Sequence, residues 1–227
     1  MQNQESMQEF QIEPPLLTTE DLQKEKTKAY EQIQKQWTHI PKRFRGKTFE
    51  SFKGFDKEVE KIKETILQNQ SVFISGLCGT GKTHLAVAIM YFWFVEKICL
   101  GKRHTEEYGH DVDRILYPSE KPDFLPSVEF FLELKNSFKD ETTSEEVIIN
   151  FYGGKKLLVI DDVGSEKVSD WSRQMFYTLI DRRYREMSQT IITSNLDLDK
   201  LAETIDERIS SRLIEMGKII KLEGKDW

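Results

Sequence analysis

The sequence predicts an α/β fold in which a parallel sheet is flanked by helices, and three observations carry that prediction. Gly76–Thr83 matches the phosphate-binding pattern G-x-x-x-x-G-K-[ST], with an apolar run before it and an apolar-rich stretch after it. Short apolar runs alternate along the chain with segments of helical periodicity, which is typical of a parallel sheet covered on both faces. The apolar run Leu157–Ile160 leads directly into Asp161 and Asp162. A nucleotide-binding domain of the phosphate-loop class accounts for all three observations.

Composition limits the classes of protein that fit. The 227 residues suffice for one main domain with appendages, and the net charge of −6 argues against a protein that coats duplex DNA through overall basicity. Cys78 and Cys99 have neither disulfide-framework nor zinc-ligand spacing, so we expect a reducing compartment and a cytoplasmic protein. Met1–Phe10 lacks the apolar region of a secretory signal, and Leu85–Val95 is too short to cross a bilayer, so no membrane partner is expected.

We predict two parts, residues 1–45 as an amino-terminal extension and linker, and residues 46–227 as the nucleotide-binding domain. Thr18 and Asp21 form a plausible capping box for a helix in the extension. The apolar residues of that helix fall largely on one stripe, namely Leu22, Tyr30, Ile33 and Trp37. The stripe either binds a groove of a partner or folds back onto the core, and the sequence leaves both open.

The elements of the larger part follow from periodicity. Val59, Ile62 and Ile66 mark an amphipathic helix, which precedes a first strand at Val72–Ser75 and a buried helix at Leu85–Val95. We predict that Gly101–Pro126, which is rich in charge and proline, is an extended surface insertion.

Further helices and strands complete the pattern. Ser127 opens a helix whose apolar side is predicted to contain Val128, Phe131, Leu132 and Phe138, and Thr143–Glu146 begins a shorter helix. Ser169 caps a long helix, and Thr190–Thr193 is the next short strand after Leu157–Ile160.

The phosphate-binding pattern assigns a role to each of its positions. Its glycines let the backbone curl so that successive N–H groups point at phosphate oxygens. Lys82 is predicted to reach the β and γ phosphates of ATP, and Thr83 to offer its hydroxyl to Mg²⁺. The residues expected to bind the nucleotide are Gly76, Leu77, Cys78, Gly79, Thr80, Gly81, Lys82 and Thr83. A glycine turn that binds nothing is the alternative.

Polar residues at the ends of later strands supply the second half of the predicted site. We assign Asp161 to Mg²⁺ and Asp162 to the attacking water, the alternative being an acidic strand end without a catalytic role. Asn195 ends the next strand, where its amide could bind the γ phosphate or the water, although asparagine also commonly starts a turn. Arg208 and Arg212 lie four residues apart on one helical face, where surface salt bridging competes with a catalytic use.

Taken together, these motifs resemble those of the AAA+ ATPases of the bacterial helicase-loader type, the DnaC and DnaI type, and of the related IstB transposition helpers. Four segments carry the resemblance: Gly79–Ala86, Leu158–Gly164, Ile192–Leu196 and Asp206–Leu213. The run Ile40–Pro41, followed by Arg43-Phe44 and Thr48-Phe49, is also similar to the start of that family's ATPase domain. The resemblance covers roughly residues 40 to 227.

The resemblance implies a five-stranded parallel sheet and specific roles for several residues. By similarity, His84 joins the nucleotide-binding set, Asn195 takes the sensor 1 position, and Arg212 is an arginine finger directed at a neighbouring subunit, with Arg208 the less favoured candidate. The helices Val128–Phe138 and Thr143–Phe151 fall where initiators and loaders carry an extra helical element along a path for single-stranded DNA. Lys135 and Lys139 would contact phosphates there, or would simply be solvated.

Two departures from the family are visible. The amino-terminal part has only about 40 residues and no cysteine, whereas the loaders usually have a substantial helicase-binding domain there. If a helicase is bound by this part, Tyr30, Ile33 and Trp37 are the expected anchors. The chain also ends at Trp227, which leaves no room for a full carboxyl-terminal helical lid.

The function predicted on this basis is that of an ATP-dependent helicase loader. It would bind a hexameric replicative helicase, assemble with copies of itself in an ATP-dependent oligomer, and control helicase placement on single-stranded DNA. Its Mg²⁺-dependent ATPase activity would be weak until assembly supplies the finger. The alternatives are an IstB-like transposition helper acting on duplex DNA, and a nucleotide-gated adaptor of a phage or mobile element without significant hydrolysis.

Overall fold

The computed structural model describes residue 37 and residues 39–96, 122–139, 142–165 and 169–223, with four isolated positions between 20 and 31. Its centre is a sheet of five strands in the order β2-β3-β4-β1-β5, and every neighbouring pair is parallel. The strands are β1 (Ser71–Gly76), β2 (Asp123–Pro126), β3 (Leu157–Val163), β4 (Gln189–Ser194) and β5 (Gly217–Leu222). The predicted five-stranded parallel sheet is therefore confirmed.

Helices connect the strands and cover both faces of the sheet. They are α1 (Asp56–Leu67), α2 (Lys82–Trp93), α3 (Ser127–Ser137), α4 (Glu145–Gly153), α5 (Asp170–Arg185), α6 (Leu198–Thr204) and α7 (Glu207–Met216). Two short 3₁₀ helices, Lys42–Phe44 and Phe49–Ser51, precede α1. Ser169 caps α5 as predicted, since its hydroxyl accepts a hydrogen bond from the amide of Ser172.

The alternation of side chains along β1 divides the core into two layers. Val72 and Ile74 face a cluster that includes residues of α1 and α2, whereas Phe73 faces a second cluster formed with α3 to α7. Both layers are buried, which explains why the central strands are continuous apolar runs in the sequence.

The segment before α1 belongs to the core. Trp37 is only 4% exposed, stacks on Tyr91 at 5.2 Å between ring centroids, and meets the edge of Phe94 at 5.3 Å. Ile40 is fully buried in the same cluster. Of the two alternatives that the sequence leaves open for this stripe, Trp37 follows the second, because its ring folds back onto α2 and the turn after α2. Leu22, Tyr30, Ile33 and the Thr18–Asp21 box lie outside the described residues.

The predicted surface insertion Gly101–Pro126 is wrong at its carboxyl end, where Asp123–Pro126 forms β2 and pairs with β3. The strand escapes a periodicity search because it has only two apolar residues and ends in proline, which an edge strand tolerates. The prediction for residues 101–121 lies outside the described part of the chain.

The predicted apolar side of α3 is also partly wrong. Phe130, Phe131 and Leu134 are the buried residues, whereas Val128 and Leu132 are exposed. Apolar residues occur on two stripes of this helix, so the sequence alone does not decide which stripe faces the core. Phe138 is also exposed and follows the last residue of α3.

In the part of the chain that the structure describes, no helix is both long and apolar enough to cross a membrane.

Candidate nucleotide-binding site

The phosphate-binding loop joins β1 to α2 at the carboxyl edge of the sheet. Gly79 and Gly81 have φ angles of 80° and 90°, a left-handed conformation that glycine adopts without strain. Gly76 is restricted for a second reason, because a Cβ there would lie 2.6 Å from the carbonyl oxygen of Leu222. Since α2 begins at Lys82, the first amides of this helix are directed at the loop, as anion binding requires.

Lys82 is folded into this loop. Its ammonium donates hydrogen bonds to the carbonyl oxygens of Gly76 and Leu77, at 2.8 and 2.7 Å. Burial lowers the pKa of Lys82, and the charges of Cys78, Asp162 and Asp161 act in the opposite direction. A cation held mainly by neutral carbonyls fits a site for phosphate, whose charge would compensate the ammonium.

Thr83 and Asp161 join the loop to β3. The Thr83 hydroxyl lies 3.0 and 3.1 Å from the two carboxylate oxygens of Asp161. Burial raises the pKa of Asp161, whereas the hydrogen bonds from Thr193 and Thr83 lower it. A hydroxyl beside a carboxylate is a donor set that suits a hard cation such as Mg²⁺.

Asp162 and Asn195 contact each other beside the loop. The amide of Asn195 donates to the Asp162 carboxylate at 3.0 Å, and its carbonyl oxygen is 3.6 Å from the Cys78 thiol. Asn195 therefore contacts residues of both halves of the predicted site, and its role toward a nucleotide or a water molecule stays a prediction. An acidic group and an amide held together in this way are suited to orienting a water molecule.

His84 is turned toward the segment that precedes α1. Its Nε2 lies 2.8 Å from the Ser51 hydroxyl and 3.3 Å from the carbonyl oxygen of Thr48, and its ring meets Phe52 edge-on. Burial lowers the pKa of His84. These contacts fix the 48–52 segment against α2, so a role of His84 toward the nucleotide itself stays a prediction.

Arg212 is bound to α5. Its Nε donates to Asp181 at 2.9 Å, and its Nη2 donates to the hydroxyl of Tyr177 at 2.7 Å. Arg208 instead pairs with Asp206 and lies 3.9 Å from the centre of the Tyr177 ring. The contacts that the structure gives Arg212 thus lie on α5 and α7 rather than on the phosphate-binding loop. These contacts are compatible both with a surface salt bridge and with a catalytic use of Arg212.

Thr193 is a further residue of the site that was not predicted from the sequence. Its hydroxyl donates to Asp161 at 2.6 Å and accepts from the backbone amide of Asp162 at 2.8 Å. A sequence signal existed, because in an extended strand a residue two positions before Asn195 lies on the same face of the sheet as Asn195. Lys135 lies in the last turn of α3 and Lys139 just after the helix, and both side chains are exposed.

Comparisons with known proteins agree with this geometry. Residues 122–225 match the model of a protein family described as IstB-like ATP binding protein. The replicative helicase loader DnaC of Escherichia coli is 24% identical over 143 residues, which are 63% of this chain and 49% of that protein. An ATP-binding protein of insertion sequence IS232 from Bacillus thuringiensis is 26% identical over 165 residues, 70% of this chain and 56% of that protein.

The fold comparison gives a similar result. A crystal structure of the DnaC helicase loader superimposes with a TM-score of 0.64 at 22% sequence identity, over 81% of this chain and 100% of that chain. This likeness shows the fold. The chain spans about half the length of the curated relatives it matches.

Proposed function

We propose that the protein is an ATP-dependent helicase loader, because residues 122–225 match the model of a family described as IstB-like ATP binding protein. It binds a hexameric replicative helicase and controls the placement of that helicase on single-stranded DNA. The observation that supports ATP binding most directly is the contact between Thr83 and Asp161, which unites two motifs 78 residues apart. The relatives named as helicase loaders support the second half of the proposal.

In the proposed site each residue has one task. Lys82 and the amides at the start of α2 hold the β and γ phosphates, and Thr83 with Asp161 holds Mg²⁺. Bound Mg²⁺ neutralises charge that develops on the phosphate oxygens. Asp162, oriented by the amide of Asn195, positions the attacking water.

Arg212 is proposed to act on the nucleotide of a neighbouring copy. Its side chain is 21% exposed and its contacts are on α5 and α7, so it does not contact the phosphate-binding loop of its own subunit. An arginine supplied in this way accelerates hydrolysis by about 10³-fold or more, because it meets charge that develops in the transition state. Turnover should consequently rise with protein concentration or with a partner that promotes assembly.

The α3–α4 pair is the proposed contact with single-stranded DNA. Phe138 after α3 and Phe151 in α4 are exposed aromatic residues on which bases could stack, and Lys135 and Lys139 could bind phosphates. Replacing both lysines with alanine should weaken binding to an oligonucleotide and reduce the salt dependence of that binding. If binding and its salt dependence are unchanged, the contact with DNA lies on another part of the protein.

The ATPase part is tested by mixing subunits. Lys82→Ala should abolish nucleotide binding, and Arg212→Ala should keep binding but lose about 10³-fold in stimulated turnover. An equal mixture of the two variants should recover turnover well above either alone, since each supplies what the other lacks. Arg185→Ala is the matched control, because Arg185 also pairs with Asp181 but is 67% exposed. Full activity of Arg212→Ala alone would remove the finger assignment.

The loader part is tested with the replicative helicase from the same source. The two proteins are mixed with and without ATP, and the mass of any complex and the rate of strand unwinding are measured. A complex with defined stoichiometry and ATP-dependent unwinding supports the proposal. Absence of any complex would refute loading while leaving nucleotide binding intact.

A transposition helper is the second candidate, since one relative is an ATP-binding protein of an insertion sequence. The two candidates differ in the nucleic acid they require. ATP-dependent assembly on duplex DNA, without binding to the helicase, would favour the transposition helper.

A further inference from the structure

The two acidic residues of the site lie in a β-bulge. β3 and β4 pair regularly up to Ile160 opposite Ile192, and pairing resumes at Val163 opposite Ser194. Asp161 and Asp162 therefore share a single opposing residue, Thr193. Two residues facing one define a bulge, and bulges redirect side chains beside active sites.

The bulge explains how two consecutive carboxylates reach one site. In a regular strand neighbouring side chains point to opposite faces of the sheet. Here Asp162 has a φ angle of 59°, in the left-handed region that aspartate tolerates better than most residues. As a result Asp161 contacts Thr83 while Asp162 contacts Asn195, on the same edge of the sheet.

The hydroxyl of Thr193 closes the bulge. It accepts a hydrogen bond from the backbone amide of Asp162 at 2.8 Å, in the stretch where regular pairing of β3 with β4 is interrupted. It donates its single proton to Asp161 at 2.6 Å. Thr193 is 1% exposed, so water has little access to replace either bond.

We propose that Thr193 is a positioning residue that fixes both acidic residues of the site through this one hydroxyl. The inference depends on the proposed ATPase function, which gives Asp161 and Asp162 their separate tasks. Thr83 is the residue expected to turn its hydroxyl toward Mg²⁺, and Thr193 is then the donor that stays on Asp161. Threonine suits the place because its methyl group packs in the strand while its hydroxyl donates and accepts at once.

The test compares three substitutions. Thr193→Val keeps the shape and removes the hydroxyl, Thr193→Ser keeps the hydroxyl, and Ser194→Ala is the matched control. Ser194 is a buried β4 residue whose hydroxyl donates to the carbonyl oxygen of Val163 and accepts from the amide of Leu196, so its loss affects no carboxylate. Thr193→Ala, which has no γ-methyl group in place of the hydroxyl, serves if the valine variant does not fold.

Two readouts separate positioning from folding. Stimulated turnover of Thr193→Val should fall about 10- to 100-fold, as for other residues that orient a metal ligand. The gain in affinity for a fluorescent ATP analogue on adding Mg²⁺ should shrink about tenfold, while metal-free affinity stays unchanged, because the phosphate-binding loop is untouched. Thr193→Ser should recover both quantities to within about threefold, and Ser194→Ala should change neither.

Wild-type turnover and Mg²⁺-linked affinity in Thr193→Val would overturn the inference and leave the proposed function standing. An equal loss in Ser194→Ala would also overturn it, because the effect would then follow from general damage to the β3–β4 pair. Failure of the wild-type protein to bind ATP with Mg²⁺ would refute the proposed function, and the inference with it.

Discussion

Replacing Arg183 with methionine should severely destabilise the fold. The Arg183 side chain is fully buried, and no carboxylate is among the hydrogen-bond partners that the structure gives it. Its guanidinium donates to four backbone carbonyl groups and to the hydroxyl of Thr190. The carbonyl groups belong to Tyr152, Gly153, Lys155 and Gln189. Burial lowers the pKa of Arg183 to about 9, so the group still carries its charge at neutral pH.

The expected loss follows from these five acceptors. Methionine fills much of the volume but leaves the acceptors without their donor, and each buried unsatisfied group costs about 1–3 kcal/mol. Because neighbouring losses do not add fully, we expect the free energy of unfolding to fall by about 4 kcal/mol. That is a large fraction of the roughly 5–15 kcal/mol available to a domain. The midpoint of thermal unfolding should fall by about 10 °C.

The assay is chemical and thermal unfolding followed by circular dichroism. Arg185→Met is the matched control, since Arg185 lies on the same helix, is 67% exposed, and pairs with Asp181 at 3.0 Å. Its loss should cost less than about 1 kcal/mol. A loss below about 1 kcal/mol in Arg183→Met would refute the reasoning, because it would mean that the carbonyl groups find other donors.

Three further predictions concern the site and the core. N-Ethylmaleimide should modify the exposed thiol of Cys78 and block ATP binding, whereas prior ATP should protect it; equal inhibition of a Cys78→Ala variant would contradict this. Trp37→Ala should lower the free energy of unfolding by about 3–5 kcal/mol, because the ring packs on Tyr91 and Phe94. An unchanged melting temperature would show that burial of this ring contributes little to stability. Asn195→Ala should lower turnover about 10²-fold at nearly unchanged nucleotide affinity, because the side-chain amide of Asn195 orients Asp162. A parallel loss of nucleotide affinity, measured by fluorescence, would instead assign Asn195 to nucleotide binding.

The sequence predicts best those parts of the molecule that depend on local chemistry. The loop from Gly76 to Thr83 needs glycine, lysine and threonine at fixed spacings, so its pattern is visible without a structure. Asp161 is visible for the same reason, because it follows a continuous buried strand. Their mutual contact across 78 residues follows from the parallel sheet, which brings the carboxyl ends of its strands to one edge.

Features that depend on tertiary contacts were not predictable in this way. The edge strands β2 and β5 are only partly buried, and neither contains more than two consecutive apolar residues, so periodicity does not reveal them. The buried side of α3 depends on which of its two apolar stripes meets α4 and the sheet. The role of Thr193 depends on a register shift between β3 and β4, and such a shift cannot be predicted from the residue spacing within one strand.

The attachment of Arg212 to Asp181 and Tyr177 has a mechanical consequence for an assembly of subunits. Arg212 belongs to α7 and its two partners belong to α5, so the guanidinium is carried by two packed helices rather than by a loop. α5 is in turn joined to the base of the sheet through Arg183. In its proposed role the arginine would therefore approach or leave a neighbour's nucleotide mainly when the whole subunit rotates. The rate of hydrolysis at one interface would then depend on the relative orientation of two entire subunits.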